Sequence, residues 1–259
     1  MILLRASLMP WEAKPSLSER PPSRERGVVE VWRVCLSGLP EDVARLAPTL
    51  SPSESDRAHR FRFERDRLRF VAGRGLLRLV LSYYLDTPPA ELKFTYGQFG
   101  KPALAPPSDQ SGASFNVAHS GDLALFAVAH GRRVGVDVER VQPDGDLGSV
   151  ARHFFSAREF TSLSALPVAA RARGFFDCWT RKEAYTKARG EGVSFPLERF
   201  SVGFSSAADA ALEVEGEPSE SSHWRVRPLD LGALYAGALV VEGHDWELRE
   251  RELSPPAPP

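Results

Sequence analysis

Two carboxylates stand inside a stretch that otherwise reads as a buried β-strand, "RVGVDVERV", Arg133 to Val141. Side chains alternate across a strand, so Val134, Val136 and Val138 share one face and Gly135, Asp137 and Glu139 share the other. Two acids two positions apart lie roughly 6–7 Å from each other at strand rise, and they repel unless water or a cation lies between them. A second segment, "CWTRKEAYTKARGEG" from Cys178 to Gly192, repeats Trp179, Glu183 and Lys187 at four-residue spacing. On a helix these three share a face. A Glu with a Lys four residues later also serves simply as a helix-stabilising pair, worth ~0.3–0.5 kcal/mol. If Glu183 reaches the face that carries Asp137 and Glu139, three carboxylates converge. All-oxygen ligation of that kind suits Mg²⁺, which commonly bridges to phosphate oxygens. No Cys/His spacing in the chain points to zinc.

Three further segments carry candidate chemistry. His119 ends "SFNVAHSG", with Ser120 and Gly121 beside it as possible donors to an anion. From Arg57 to Arg78 there are eight arginines and two acids, Glu64 and Asp66. Arginine forks suit bidentate phosphate contacts, although a solvated helix face explains such a run equally well. Lys101 sits in the Gly/Pro turn "YGQFGKPAL", a place where a lysine is often merely exposed.

These residues need elements to position them. "VVEVWRVCL" alternates as a strand, and "GASFNVAHSGDLALFAVAHGRRVGVDVERV" gives three strands separated by glycine turns. Ser51, Pro52 and Glu54 form a helix start. The run beyond it is long enough for two helices, with Gly73 and Gly75 as weak points. "FSAREFTSLSAL" and "ARGFFDCWTRKEAYTKARG" read as helices, and "FPLERFSVGFS", "AALEVEG", "HWRVRPL" and "LYAGALVVEG" as strands. The strand with the acids reads as central, with Gly135 leaving its face open. "GDLALFAVAHG" and "GALYAGALVVEG" are faintly alike, which suggests two α/β halves related as a pseudo-duplicate, with the carboxylate strand near their junction. The expected organisation is a loose Pro/Ser/charge-rich extension over residues 1–27, halves at 28–132 and 133–253, and a tail at 254–259.

Bulk composition is that of a soluble globular protein: 259 residues, 26% charged, 42% hydrophobic and a net charge of −1. Near-neutrality gives no reason to expect nucleic-acid or membrane affinity. Two cysteines argue against a disulfide framework and fit a reducing compartment. The opening "MILLRASLMP" has too short an apolar run for a signal peptide or span, so a cytoplasmic location is expected.

Taken in order, "FGKPAL", "FNVAHS", "GVDVERV" and "WTRKEAYTKARGEG" resemble the Sfp-type 4′-phosphopantetheinyl transferases, whose pattern reads approximately G-K-P, F-N-x-S-H-S, G-(I/V)-D-(I/V)-E and W-(S/T)-x-K-E-(A/S)-x-x-K. The resemblance implies an α/β (α+β) fold of two pseudo-twofold-related subdomains in one chain. It also implies transfer of 4′-phosphopantetheine from coenzyme A to a serine of an acyl or peptidyl carrier protein, with Mg²⁺ required and adenosine 3′,5′-bisphosphate released. Asp137, Glu139 and Glu183 would be the Mg²⁺ site. Glu183 and Lys187 would act in catalysis, and Arg57, Arg69, Lys101, His119, Lys182 and Lys187 would contact coenzyme A. Arg69 corresponds to an arginine on the 3′-phosphate. Ala118 stands where the family often has serine, implying one hydroxyl contact to phosphate fewer. The carrier is expected to dock on a basic or apolar lip, for which "GVSFPLERFSVGF" with Arg199 is a candidate, and the duplication makes a monomer the expected state. A Mg²⁺-dependent nucleotide pyrophosphohydrolase and a non-catalytic module gripping RNA or another anion are the alternative readings.

Overall fold

The structure is a computed structural model and describes residues 23–36, 40–98, 100–190, 195–204 and 209–253. Most of the expected N-terminal extension, and the tail, lie outside the described residues.

The chain opens with β1 (Val28–Cys35), α1 (Pro40–Leu46), α2 (Pro52–His59) and α3 (Glu64–Leu85). A short hairpin of β2 (Phe94–Tyr96) and β3 (Pro102–Leu104) leads to β4 (Ala113–Ser120), β5 (Leu123–His130) and β6 (Val134–Arg140). Then come α4 (Leu147–Phe154), α5 (Ala157–Ala165) and α6 (Val168–Arg189). A second hairpin, β7 (Phe200–Val202) with β8 (Leu212–Val214), precedes α7 (Glu220–His223), β9 (Trp224–Pro228), β10 (Tyr235–Glu242) and β11 (Glu247–Leu253).

One sheet has the order β11-β1-β5-β4 and the other β6-β10-β9. They stack as the two inner layers of a four-layer molecule, and strand alternation sorts the side chains accordingly. On β1 and β5, Trp32, Val34, Phe126 and Val128 pack under α1–α3, while Val29, Val31, Leu125 and Ala127 face the second sheet. On β6, Val134, Val136 and Val138 join that inter-sheet core, together with Leu239 and Val241 of β10. The opposite face of the second sheet packs on α4–α6. The fold is therefore mixed α and β, in two halves of the same design.

The duplication is visible at single residues. Ser51 caps α2 in a capping box closed by Glu54, and Ser156 caps α5 in one closed by Glu159. Both glutamates are buried, each against a cation fourteen residues into a 22-residue helix: Arg78 of α3 at 2.7 Å and Lys182 of α6 at 2.7 Å.

Three expectations change. The break between the two N-terminal helices falls at residues 60–63, and Gly73 and Gly75 lie inside an uninterrupted α3. A Cβ on Gly75 would stand 2.8 Å from Leu46 Cβ, so this glycine lets α1 approach α3. The acid-bearing β6 is an edge strand by hydrogen bonding, buried because β4 covers its free side. Finally, β11 crosses the division drawn after residue 132 and pairs in parallel with β1.

Candidate active site

The site forms where two sheet edges meet. No backbone ladder joins β4 to β6; side chains do it instead. Asn116 Oδ1 accepts from Val136 N–H at 2.8 Å, and Ser120 Oγ accepts from Arg140 N–H at 3.0 Å. Ser120 also donates to Glu139 Oε2 at 2.8 Å, fixing that carboxylate. Both contacts advance along the strands together, so β4 and β6 run side by side in one direction. Their C-terminal ends bring His119 and Ser120 beside Asp137 and Glu139.

Gly135 brings in the helix. A Cβ there would stand 2.1 Å from Ala184 O and 2.4 Å from Ala188 N, so the α6 backbone rests directly on the strand. The face that the sequence leaves open at Gly135 is filled by helix, and this seat sets the position of the acids. Asp137 and Glu139, next along that face, meet the side of α6 that carries Glu183 and Lys187. Lys187 Nζ donates to Asp137 Oδ1 at 2.6 Å. Asp137 is 4% exposed, and its Oδ2 is buried with no hydrogen-bond partner. Loss of water pushes the Asp137 carboxyl up to about 7; Lys187 pulls it back, and the charges of Glu139 and Glu183 add to the rise. Glu183 is likewise raised, first by burial, with Lys187 opposing and Glu139 reinforcing. All three acids thus share one field, with one ammonium among them.

On the other side of β4 a cavity of about 540 Å³ opens between α3 and the first sheet. Arg57, Arg69, Arg74 and His119, with one acid, Asp66, supply its charged lining, and Phe61 and Phe70 part of its apolar wall. Arg69 donates to Asp122 Oδ1 at 2.6 Å, and the Arg57 guanidinium lies 5.1 Å from the Phe70 ring centroid. His119 links cavity and acids. It is held below its ordinary range by desolvation and by Lys187, then by Arg69, while Glu139 pulls the other way. The arrangement offers cations for several phosphates on one side and carboxylates for a proton or metal on the other.

Two predicted contacts sit elsewhere. Lys182 is 0% exposed, and its Nζ donates to Glu159 Oε2 at 2.7 Å and the Phe200 carbonyl at 2.6 Å. As the counterpart of Arg78 it is an internal counterion, and it does not line the cavity. Lys101 donates to the carbonyl of Lys187, with the Val134 carbonyl at 3.4 Å, so it caps the end of α6 and pins it to β6. Burial, with Arg133 and Lys187 nearby, lowers its ammonium to about 8. Ala118 is buried in the inter-sheet core while Val117 and His119 line the cavity, so a hydroxyl at 118 would face away from bound phosphate. Of the proposed docking strip, residues 192–194 lie outside the described residues; Leu197, Phe200 and Val202 are core, and Arg199 is exposed. Asn116 was not singled out from the sequence; a buried amide within an apolar strand was the available sign.

Among the described residues, no three Asp, Glu, His or Cys side chains form a ready cage for an ion. The donor chemistry nonetheless fits Mg²⁺: the acids are all-oxygen ligands, and the orphaned Asp137 Oδ2 is a buried acceptor awaiting a partner.

Known proteins match the sequence of both halves. Residues 133–240 match the 4′-phosphopantetheinyl transferase superfamily, and residues 37–131 match a 4′-phosphopantetheinyl transferase N-terminal family. The chain is 38% identical over 219 residues to the 4′-phosphopantetheinyl transferase HetI of Nostoc sp., covering 85% of this chain and 90% of that protein. It is 35% identical to a phosphopantetheinyl transferase of Thraustochytrium sp., over 78% of this chain and 75% of the relative. It is 29% identical to the 4′-phosphopantetheinyl transferase Sfp of Bacillus subtilis, over 80% and 88%. With the acid strand, its helix and the cationic cavity each lying within a matched half, the chain belongs to the 4′-phosphopantetheinyl transferases.

Proposed function

We propose that this enzyme moves 4′-phosphopantetheine from coenzyme A to the serine hydroxyl of a carrier protein, with Mg²⁺ held by Asp137, Glu139 and Glu183. The observation that carries the reading is the shared electrostatic field of these three acids and Lys187, one strand away from a cavity lined by Arg57, Arg69 and His119. Coenzyme A brings a pyrophosphate and a 3′-phosphate, and those cations offset their charge. A bound Mg²⁺ would supply further neutralisation at the pyrophosphate oxygens.

The chain's own groups divide the remaining work. Glu183, raised by burial, accepts the proton of the incoming serine hydroxyl. A bond forms from that oxygen to the pantetheine-side phosphorus, and the pyrophosphate bridge breaks. Lys187 stabilises the departing phosphate. Lys101 holds the carbonyl of Lys187 and so fixes where that ammonium starts. Residues from both halves of one chain build the site, which supports a monomer as the working unit.

The test is incubation with coenzyme A and Mg²⁺, with and without an apo acyl carrier protein. A carrier mass increase of about 340 Da, the attached phosphopantetheine, is expected from the wild type, and none from Asp137→Ala. Nucleotide release that needs no carrier would mark a hydrolase instead. Absence of any turnover would leave a binding module.

A further inference from the structure

The corner between α2 and α3 breaks two local rules at once. Phe63 occupies the N-cap of α3 without a side-chain cap hydrogen bond, whereas α2 and α5 both carry complete capping boxes. Ser, Thr, Asp or Asn would satisfy an orphan amide there; Phe satisfies none. The same ring is 59% exposed, with the Arg62 guanidinium 5.3 Å from its centroid. Neither folding nor solubility is served by a bare phenylalanine at an uncapped helix start.

The charges around it are uncompensated. Arg60 and Arg62 are exposed and form no ion pair among the described residues, while the neighbouring Arg65 and Arg67 are paired with Asp66 and Glu64. Phe61, between the two arginines, lines the cavity. The corner is therefore a cationic rim with an apolar tip, at the edge of the space assigned to coenzyme A.

Resting on the transferase reading, we infer that Arg60, Arg62 and Phe63 form a docking surface for the acceptor carrier protein, the arginines meeting an acidic face and Phe63 an apolar side chain within it. Charge complementarity favours this occupant. An acidic protein surface offers what two unpaired guanidinium groups lack, and an aromatic–Arg pair is a typical interface anchor.

The experiment compares wild type, Arg60→Gln/Arg62→Gln and Phe63→Ser in loading an apo acyl carrier protein, varying carrier and coenzyme A separately. The double variant is expected to raise the carrier KM about tenfold or more, to leave the coenzyme A KM unchanged and to flatten the salt dependence of kcat/KM. Phe63→Ser is expected to raise Tm by about 2 °C through the new cap while also weakening carrier loading, a combination that a purely structural role would not produce. An unchanged carrier KM overturns the surface. So does an equal rise in the coenzyme A KM, which would assign the arginines to the nucleotide. Binding of tRNA or phosphatidylserine vesicles that is lost in the double variant, with carrier KM unmoved, would give the patch to those ligands. A wild type that never modifies a carrier ends the transferase reading and the surface together, whereas loading undiminished in the variants ends the surface alone.

Discussion

Asp137 holds the most exposed position in energetic terms, although it is nearly inaccessible to water. One oxygen has Lys187 and the other nothing. Its carboxyl, ordinarily near 3.9, is pushed up to about 7, so between those values the folded protein holds a proton that the unfolded chain has released. The native state then binds more protons, and stability falls as pH rises through that window before levelling off above about 7. In chelator-treated protein, Tm measured from pH 4.5 to 8 should show this decline, and Asp137→Asn should remove its contribution. A variant with the same pH slope as wild type would show that Asp137 is not the group responsible. Lys182 gives the opposite lesson about single residues. It precedes Glu183 in the sequence, yet the helix turns it about 100° away, into the core and onto Glu159.

At the scale of elements, Gly135 determines whether the site exists. Placing α6 on β6 without an intervening side chain brings Glu183 and Lys187 within reach of Asp137. Gly135→Ala would drive a methyl group into the Ala184 carbonyl and the Ala188 amide, and backbone cannot swing aside as a flexible side chain can. The expected cost is ~1–3 kcal/mol of stability. Displacing the helix by even about 1 Å should lower carrier loading by around a hundredfold. Chemical denaturation and the loading assay measure the two effects; full activity in a destabilised variant would separate the seat from the chemistry.

The element scale also shows what could be read from the sequence. The alternation of valines with Gly135, Asp137 and Glu139 placed the acids on one face, and that face is the one α6 covers. The long helix of "CWTRKEAYTKARG" and the four strands after it were legible because their periodicity is strong. The meeting of β4 and β6 was not, because it rests on Asn116 and Ser120 side chains and leaves no periodic trace. Nor was β11, "ELREREL", whose alternating charges suggest a solvated segment until Arg251 is seen paired with buried Glu30.

For the molecule as a whole, that last pairing ties the ends of the fold together. Arg251 Nε donates to Glu30 Oε1 at 2.7 Å, and Tyr84 donates to the other oxygen. Glu30 is 1% exposed, so Arg251→Met would strand a buried carboxylate and is expected to cost ~3–5 kcal/mol. Adding Glu30→Gln should restore part of that loss. Urea titration of the single and double variants tests it, and a single variant as stable as wild type would show that β11 is held by its backbone alone.

Because β11 is the neighbour of β1 in the first sheet, that sheet cannot close until residue 253 has left the ribosome. Throughout synthesis the edge of β1 stands unpaired, a template for any passing strand. Aggregation during expression should therefore depend on how quickly the codons leading up to residue 253 are translated, more than on the hydrophobicity of the N-terminal half.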